Sequence, residues 1–121
     1  MNQGFTLLEL LVVLTIVSIL TAFSIPQYNT YKQKAFDTRA LNDLHNAAIA
    51  EEAYYIDKEE YLTCQNDSCT QLPGFAAISA GVELNITVDE TGFIATASHP
   101  KGSGKTFTWD SHLGGLLKEE S

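Results

Sequence analysis

The chain begins with a long apolar run that gives way, near residue 26, to a helical alternation of apolar and polar positions. The run from Phe5 to Ile25 is 21 residues long, and its only charged residue is Glu9. As an α-helix rising ~1.5 Å per residue it would cover roughly 30 Å, about the thickness of a bilayer core. The pattern therefore predicts a helix that can span a membrane.

Beyond Pro26, apolar residues recur at three- and four-residue steps, which is typical of an amphipathic helix. We expect this helix to end near Ile56, with charged residues such as Asp43 facing solvent and its apolar stripe covering a sheet. Pro26 would remove one helical hydrogen bond, so a bend or a locally melted stretch is expected there. The stripe comprises Phe36, Ala40, Leu44, Ala47, Ala48 and Tyr55.

Hydroxyl side chains recur every three residues along one side of the apolar run. Such hydroxyls can bond to the carbonyls of the previous helical turn and let neighbouring helices approach closely. They could ease unwinding ahead of Pro26, or they could simply be small residues that the helix tolerates. The set comprises Thr15, Ser18, Thr21 and Ser24.

The last third of the chain alternates with the two-residue period of strands. Val82–Val88 and Phe93–Ser98 are separated by the turn residues 89–92, and Lys105–Asp110 reads as a third strand with Phe107 and Trp109 on one face. The predicted fold is α+β. A long N-terminal helical spine, apolar in its first half and amphipathic in its second, packs on a small three-stranded antiparallel sheet.

Two cysteines, Cys64 and Cys69, lie in the irregular segment between helix and sheet. A domain exported beyond the membrane segment meets an oxidising compartment, which favours a disulfide. Such a short loop would contribute about 2 kcal/mol in the chain-entropy model. Free thiols or a metal site are the alternatives, although two thiols without a further Cys or His pair make an incomplete zinc site.

Glu9 requires a favourable interaction, because an acid at the bilayer centre costs about 2.5 to 3.5 kcal/mol on insertion scales and less near the interface. Thr6-Leu7-Leu8-Glu9 fits the capping-box pattern, in which the Thr and Glu side chains satisfy amides at a helix N-terminus. Local capping is one explanation of Glu9, and a partner elsewhere is the other.

The residues around Glu9 resemble the N-terminus of type IV prepilins and of their pseudopilin relatives. The motif comprises Gly4, Phe5, Thr6, Leu7, Leu8, Glu9 and Leu10, then the apolar run, Pro26 and Tyr28. The resemblance implies that a prepilin peptidase cuts between Gly4 and Phe5 and that Phe5 is then N-methylated. The leader departs from the family in carrying neither Lys nor Arg.

The resemblance further implies a structural subunit of a type IV pilus and no enzymatic activity. Glu9 would pair with the Phe5 amine of a neighbouring copy. Residues 1–4 would form the cleaved leader, 5–25 the membrane and filament-core segment, 26–56 the amphipathic helix, and 57–121 the C-terminal globular part. The expected partners are copies of the chain, the peptidase, the assembly machinery and, before assembly, the inner membrane; afterwards the subunit would lie in an extracellular pilus.

Three other interpretations of the N-terminus remain open. The chain could be a pseudopilin of a type II secretion system, or a monomeric membrane-anchored binding protein. An ordinary signal peptide cleaved after Ala22-Phe23-Ser24 is the third. The missing basic residues, the acid in the run and the continuing helical pattern count against a signal peptide.

Charge and composition limit other functions. A net charge of −8 with only seven basic residues argues against general nucleic-acid binding, because phosphate contacts draw on Lys and Arg. His45, His99 and His112 fall into no metal spacing, and we interpret them as surface or loop residues without catalytic or cofactor roles.

Aromatic residues recur along the predicted helix and admit two interpretations. Stacked through a filament they could carry charge, but hydrophobic packing between subunits needs no electronic role and is favoured. The set comprises Phe5, Phe23, Tyr28, Tyr31, Phe36, Tyr54 and Tyr55.

Overall fold

A computed structural model describes residues 4–117 of the chain. The chain divides into two units, Met1–Lys32 and Gln33–Ser121. One α-helix, α1 (Leu7–Lys58, 52 residues), begins in the first unit and ends in the second. Its observed ends lie within two residues of the predicted ones.

In the first unit, helical residues lie on both sides of Pro26. The locally melted stretch that was one expectation for this region is therefore not present in the isolated chain. Pro26 has no N–H to donate to the preceding turn, so the helix lacks one backbone hydrogen bond here. The bend at Pro26 stays a prediction.

The second unit contains a five-stranded antiparallel sheet whose strands follow one another in chain order. The three predicted strands are present, and the prediction of a three-stranded sheet is corrected by a two-residue strand at each edge. Two residues are too few to show the period-two pattern on which the prediction depended. The strands are β1 (Cys64–Gln65), β2 (Glu83–Val88), β3 (Phe93–Ser98), β4 (Phe107–Asp110) and β5 (Gly115–Leu116).

The core lies between α1 and the inner face of the sheet. The register places Ile86 of β2 opposite Ala95 of β3, and Ala97 opposite Phe107 of β4, so side chains of one face align across three strands. Buried residues of the predicted helix stripe join this cluster; they are Ala40, Leu44, Ala47 and Ala48. The helix therefore covers the sheet, as the α+β prediction states.

Tyr55 and Asp43 depart from the expected pattern. Tyr55, predicted to belong to the buried stripe, is 45% exposed. Asp43, expected to face solvent, is buried, and its carboxylate accepts hydrogen bonds from the Ser79 backbone N–H at 2.8 Å and hydroxyl at 3.0 Å. A buried carboxylate is tolerated when it accepts such bonds, and Asp43 thereby ties the loop before β2 to α1.

Candidate functional site

The peptide bond between Gly4 and Phe5 lies just outside α1. Residues 4–6 have no regular secondary structure, and the Phe5 side chain is 89% exposed. A Cβ atom at Gly4 would meet nothing within 4 Å. The chain therefore presents this bond in an accessible segment, where a protease can approach it. The other leader residues, 1–3, lie outside the described part of the chain.

Glu9 and Thr6 form a reciprocal capping box. The Glu9 backbone N–H donates to Thr6 Oγ1 at 3.1 Å, and the Thr6 N–H donates to Glu9 Oε2 at 3.3 Å. The cap satisfies two amides that have no partner within the helix, and it places a negative charge at the helix N-terminus, where the dipole stabilises it. The sequence-based expectation of capping is confirmed.

The 3.3 Å contact is long for a hydrogen bond to a charged oxygen, which ordinarily measures about 2.7 to 2.9 Å. Beside it lies an open, shallow apolar patch formed by Phe5, Leu8, Val12 and Val13. The Glu9 carboxylate therefore borders an apolar surface and is not held in a short hydrogen bond. A cationic group that approached this patch could form an ion pair with the Glu9 carboxylate.

The apolar run presents an uncovered surface all round the helix. Its large side chains are between 49% and 89% exposed, from Val12 to Phe5. In the described residues, α1 is the one helix long and apolar enough to cross a membrane, and its most apolar window is entirely unburied. In water such a surface would be strongly unfavourable, at about 25 cal/mol per Å². The segment requires a lipid or protein environment.

The hydroxyl stripe of the apolar run bonds back to carbonyls of the same helix. Thr15 donates to Leu11 O at 2.8 Å, Ser18 to Leu14 O at 2.7 Å, and Ser24 to Leu20 O at 2.8 Å, with Thr21 donating to Ser18 O at 3.0 Å. These bonds satisfy the hydroxyls within the helix, so the apolar environment need not supply partners.

Cys64 and Cys69 form a disulfide with a Cα–Cα distance of 5.1 Å. Both are buried, and the bridge joins β1 to the 3₁₀ helix Asn66–Gln71. Among the described residues no cysteine is free and no group of three metal-ligating side chains is found. The disulfide prediction is confirmed over the free-thiol and metal alternatives.

Glu51 is a buried acid that sequence reasoning missed. Its side chain is fully buried, and its two carboxylate oxygens accept the Leu62 N–H at 3.2 and 3.0 Å. Burial raises the pKa of Glu51 from 4.5 to about 7, the Leu62 hydrogen bond opposes the rise, and the charge of Glu52 adds to it. The acid joins the end of α1 to the chain that leads into β1.

All three histidines were expected to be surface or loop residues, but His99 is buried. His99 is 5% exposed, stacks on Phe36 with ring centroids 4.4 Å apart, and accepts the Lys101 N–H at Nδ1. It follows β3 directly and continues the alternation of Phe93, Ala95 and Ala97, so the two-residue period of the strand was the available signal for its burial. His45 is exposed and contacts Trp109 edge-to-face at 5.0 Å.

His112 links the β2–β3 turn to the end of β4. Its Nδ1 lies 2.8 Å from Asp110 Oδ1, and its Nε2 lies 3.2 Å from Asp89 Oδ1 and 2.8 Å from Thr91 Oγ1. The hydrogen bond to Asp110 is the main cause that raises the pKa of His112, with Asp89 adding to the rise. These contacts therefore hold the β2–β3 turn against the segment that follows β4.

The aromatic residues near the end of α1 pack with the sheet. Tyr55 and Tyr61 stack at 4.7 Å, and Tyr61 contacts Phe93 at 4.9 Å. Within the second unit these contacts continue the hydrophobic core to its surface. Aromatic packing between subunits stays a prediction.

The amino-acid sequence of the chain is similar to those of several known proteins. Residues 1–25 match the prokaryotic N-terminal methylation motif. The chain is 30% identical to a fimbrial protein of Pseudomonas aeruginosa over 84% of its own length and 72% of the relative. It is 31% identical to the type IV wide pilus major component PilA4 of Thermus thermophilus, over 84% of its length and 76% of the relative. It is also 30% identical to the type II secretion system core protein G of Escherichia coli, over 65% of its length and 56% of that protein.

Proposed function

Because this chain belongs to the type IV pilin family, we propose that it is a structural subunit of a pilus that assembles through its apolar N-terminal helix. The observation that carries the proposal is the uncovered apolar surface from Phe5 to Ile25. One surface of this kind can face lipid before assembly and copies of itself afterwards. Moving from bilayer to filament then need not expose it to water.

Processing is proposed to occur between Gly4 and Phe5, with methylation of the new Phe5 amine. The accessible, non-helical peptide bond supports this, since a peptidase needs an extended segment. Residues 1–4 then form the leader, 5–25 the filament-core segment, 26–56 the amphipathic helix and 57–121 the remaining globular part.

Glu9 is proposed to pair with the Phe5 amine of a neighbouring copy. At about 4 Å, two unit charges attract by roughly 4 kcal/mol at an effective dielectric of 20, before desolvation is subtracted. The long Thr6–Glu9 contact leaves the carboxylate able to exchange partners at little cost. Such a pair would set the axial register of the subunits more than it would add stability.

Before assembly, the chain is proposed to be a single-pass inner-membrane protein with its second unit outside the cytoplasm. Assembly machinery would extract it, and afterwards it would lie in an extracellular pilus. The Cys64–Cys69 disulfide supports an exported second unit, since such bonds persist in oxidising compartments.

The test is filament imaging of cells that express Glu9→Val beside a matched control, Glu83→Val. Glu83 is an exposed acid on β2, so the control removes one charge by the same substitution. We expect Glu9→Val to insert into the membrane and to assemble poorly, whereas Glu83→Val assembles normally. Normal filaments from Glu9→Val would refute the role of Glu9.

A pseudopilin of a type II secretion system is a second candidate, and the similarity to core protein G favours it. Deleting the gene separates the two functions. Loss of extended surface fibres supports the pilus, whereas a secretion defect without loss of fibres supports the pseudopilin. A monomeric membrane-anchored binding protein would instead retain its activity when cleavage at Gly4 is blocked.

A further inference from the structure

The solvent-facing side of α1 in the second unit carries an uncharged stripe. Its members recur at alternating four- and three-residue steps, the spacing with which helices pack against other helices. Ile49 is 66% exposed and Ile56 is 80% exposed, whereas Leu44 on the opposite side of the same helix is fully buried. The outer stripe comprises Asn42, Asn46, Ile49, Ala53 and Ile56.

Acidic residues flank the outer stripe near the end of α1. Glu52 and Asp57 are exposed on either side of Ile56, and Glu59 and Glu60 follow the helix. The Glu52 carboxylate accepts the Tyr61 hydroxyl at 3.3 Å and lies at the surface. One basic residue, Lys58, lies in the last turn. We call this region the acidic end.

Basic residues lie at the other end of the same unit. Lys34 and Arg39 are exposed on the first turns of its helix, and the Lys101 ammonium and Arg39 guanidinium lie 6.0 and 5.0 Å from the Phe36 ring centroid. Asp37, the acid among them, accepts the Ser103 N–H and hydroxyl. We call this region the basic end.

The two ends are well separated, since Arg39 and Asp57 stand 18 residues apart on α1, roughly 27 Å at ~1.5 Å per residue. The unit therefore carries opposite charge at opposite ends of one helix. Two acidic ends would repel each other, and so would two basic ends. A contact between copies gains electrostatic complementarity only when unlike ends meet.

We propose that the acidic end of one copy, with Ile49, Ala53 and Ile56 at its centre, packs against the basic end of a second copy. Glu52 and Asp57 would then lie opposite Lys34 and Arg39 of the partner subunit. This contact joins two different surfaces of the chain, so it is head-to-tail, and its repetition generates an open helical array when the rotation between copies does not close into a ring. The proposed filament requires the open array. The inference rests on the proposed filament function and assigns it a second interface beyond the apolar segment.

Charge reversal in the full-length chain tests the contact. One variant carries Glu52→Lys and Asp57→Lys, a second carries Lys34→Glu and Arg39→Glu, and a third carries all four changes. All four side chains are exposed, so we expect melting temperatures close to that of the wild type. The matched control is Glu83→Lys on β2.

We expect each two-site variant to lower the filament yield per cell by about tenfold or more, and the four-site variant to recover most of it, because reversing both partners restores unlike charges. Yields that stay at the wild-type level in the two-site variants would overturn the proposal. So would a four-site variant that assembles no better than either two-site variant.

The apolar centre of the contact is tested with Ile49→Ser, compared with Ile94→Ser on the outer face of β3, where Ile94 is 41% exposed. The proposal predicts loss of filaments for Ile49→Ser alone. Equal yields from both variants would contradict it. Failure of the proposed function would give a different result from failure of this contact, because the wild-type chain itself would then form no filaments.

Discussion

Replacing the buried Glu51 with glutamine is expected to abolish most of the loss of stability that the wild-type protein undergoes as pH rises from about 4 to about 8. The Glu51 carboxyl has a pKa of about 7 in the folded chain, against 4.5 when burial is absent. Between these values the folded state binds more protons than the unfolded state. The free energy of unfolding therefore falls as pH rises through this window, and the loss is complete above the folded pKa.

The magnitude follows from the size of this difference. At about 1.4 kcal/mol per pH unit, the interval between 4.5 and about 7 corresponds to roughly 3 kcal/mol of destabilisation at pH 8 relative to pH 4. Glutamine keeps an oxygen that can accept the Leu62 N–H and carries no charge to desolvate. The variant should therefore lose less stability over the same range.

The assay is urea unfolding of the full chain in detergent micelles, followed by near-ultraviolet circular dichroism at several pH values. Glu60→Gln is the matched control, because Glu60 is exposed and its removal should leave the pH dependence unchanged. If Glu51→Gln and the wild type lose stability in parallel, the buried carboxyl is not the cause and the reasoning fails.

Three further predictions concern the second unit. His112→Asn should remove the part of the stability that is present below pH about 6.5 and lost as pH rises through the raised pKa of His112; an unchanged pH profile in the same unfolding assay would contradict this. Gly102→Ala should lower the free energy of unfolding by about 1 kcal/mol, because the added Cβ would displace the Asp37 carboxylate from its hydrogen bonds to Ser103; a melting temperature equal to that of the wild type would count against the displacement. Reducing the Cys64–Cys69 disulfide should cost about 2 kcal/mol, and unfolding with and without reductant measures it.

Much of the fold was predictable because it depends on local pattern. The period of the apolar residues predicted α1 to within two residues at each end, and alternation predicted β2, β3 and β4, with the third predicted strand beginning two residues before β4. The capping box at Thr6 and Glu9 was predictable for the same reason, since both partners lie within one helical turn.

The missed features depend on partners far away in the sequence. Asp43 reads as a surface acid until Ser79, 36 residues later, supplies its hydrogen bonds. Glu51 is likewise satisfied by Leu62, and His99 is buried because it stacks on Phe36. The periods of α1 and β3 place these three positions on buried faces. The partners that make their burial possible are not encoded locally, because tertiary packing supplies them.

The most direct test of the central claim is intact-mass and N-terminal analysis of the chain from purified surface filaments. The account predicts a subunit that begins at Phe5, carries one methyl group on its amine and retains the Cys64–Cys69 disulfide. A chain that begins at Met1 or at Ile25, or that never appears in filaments, would contradict it.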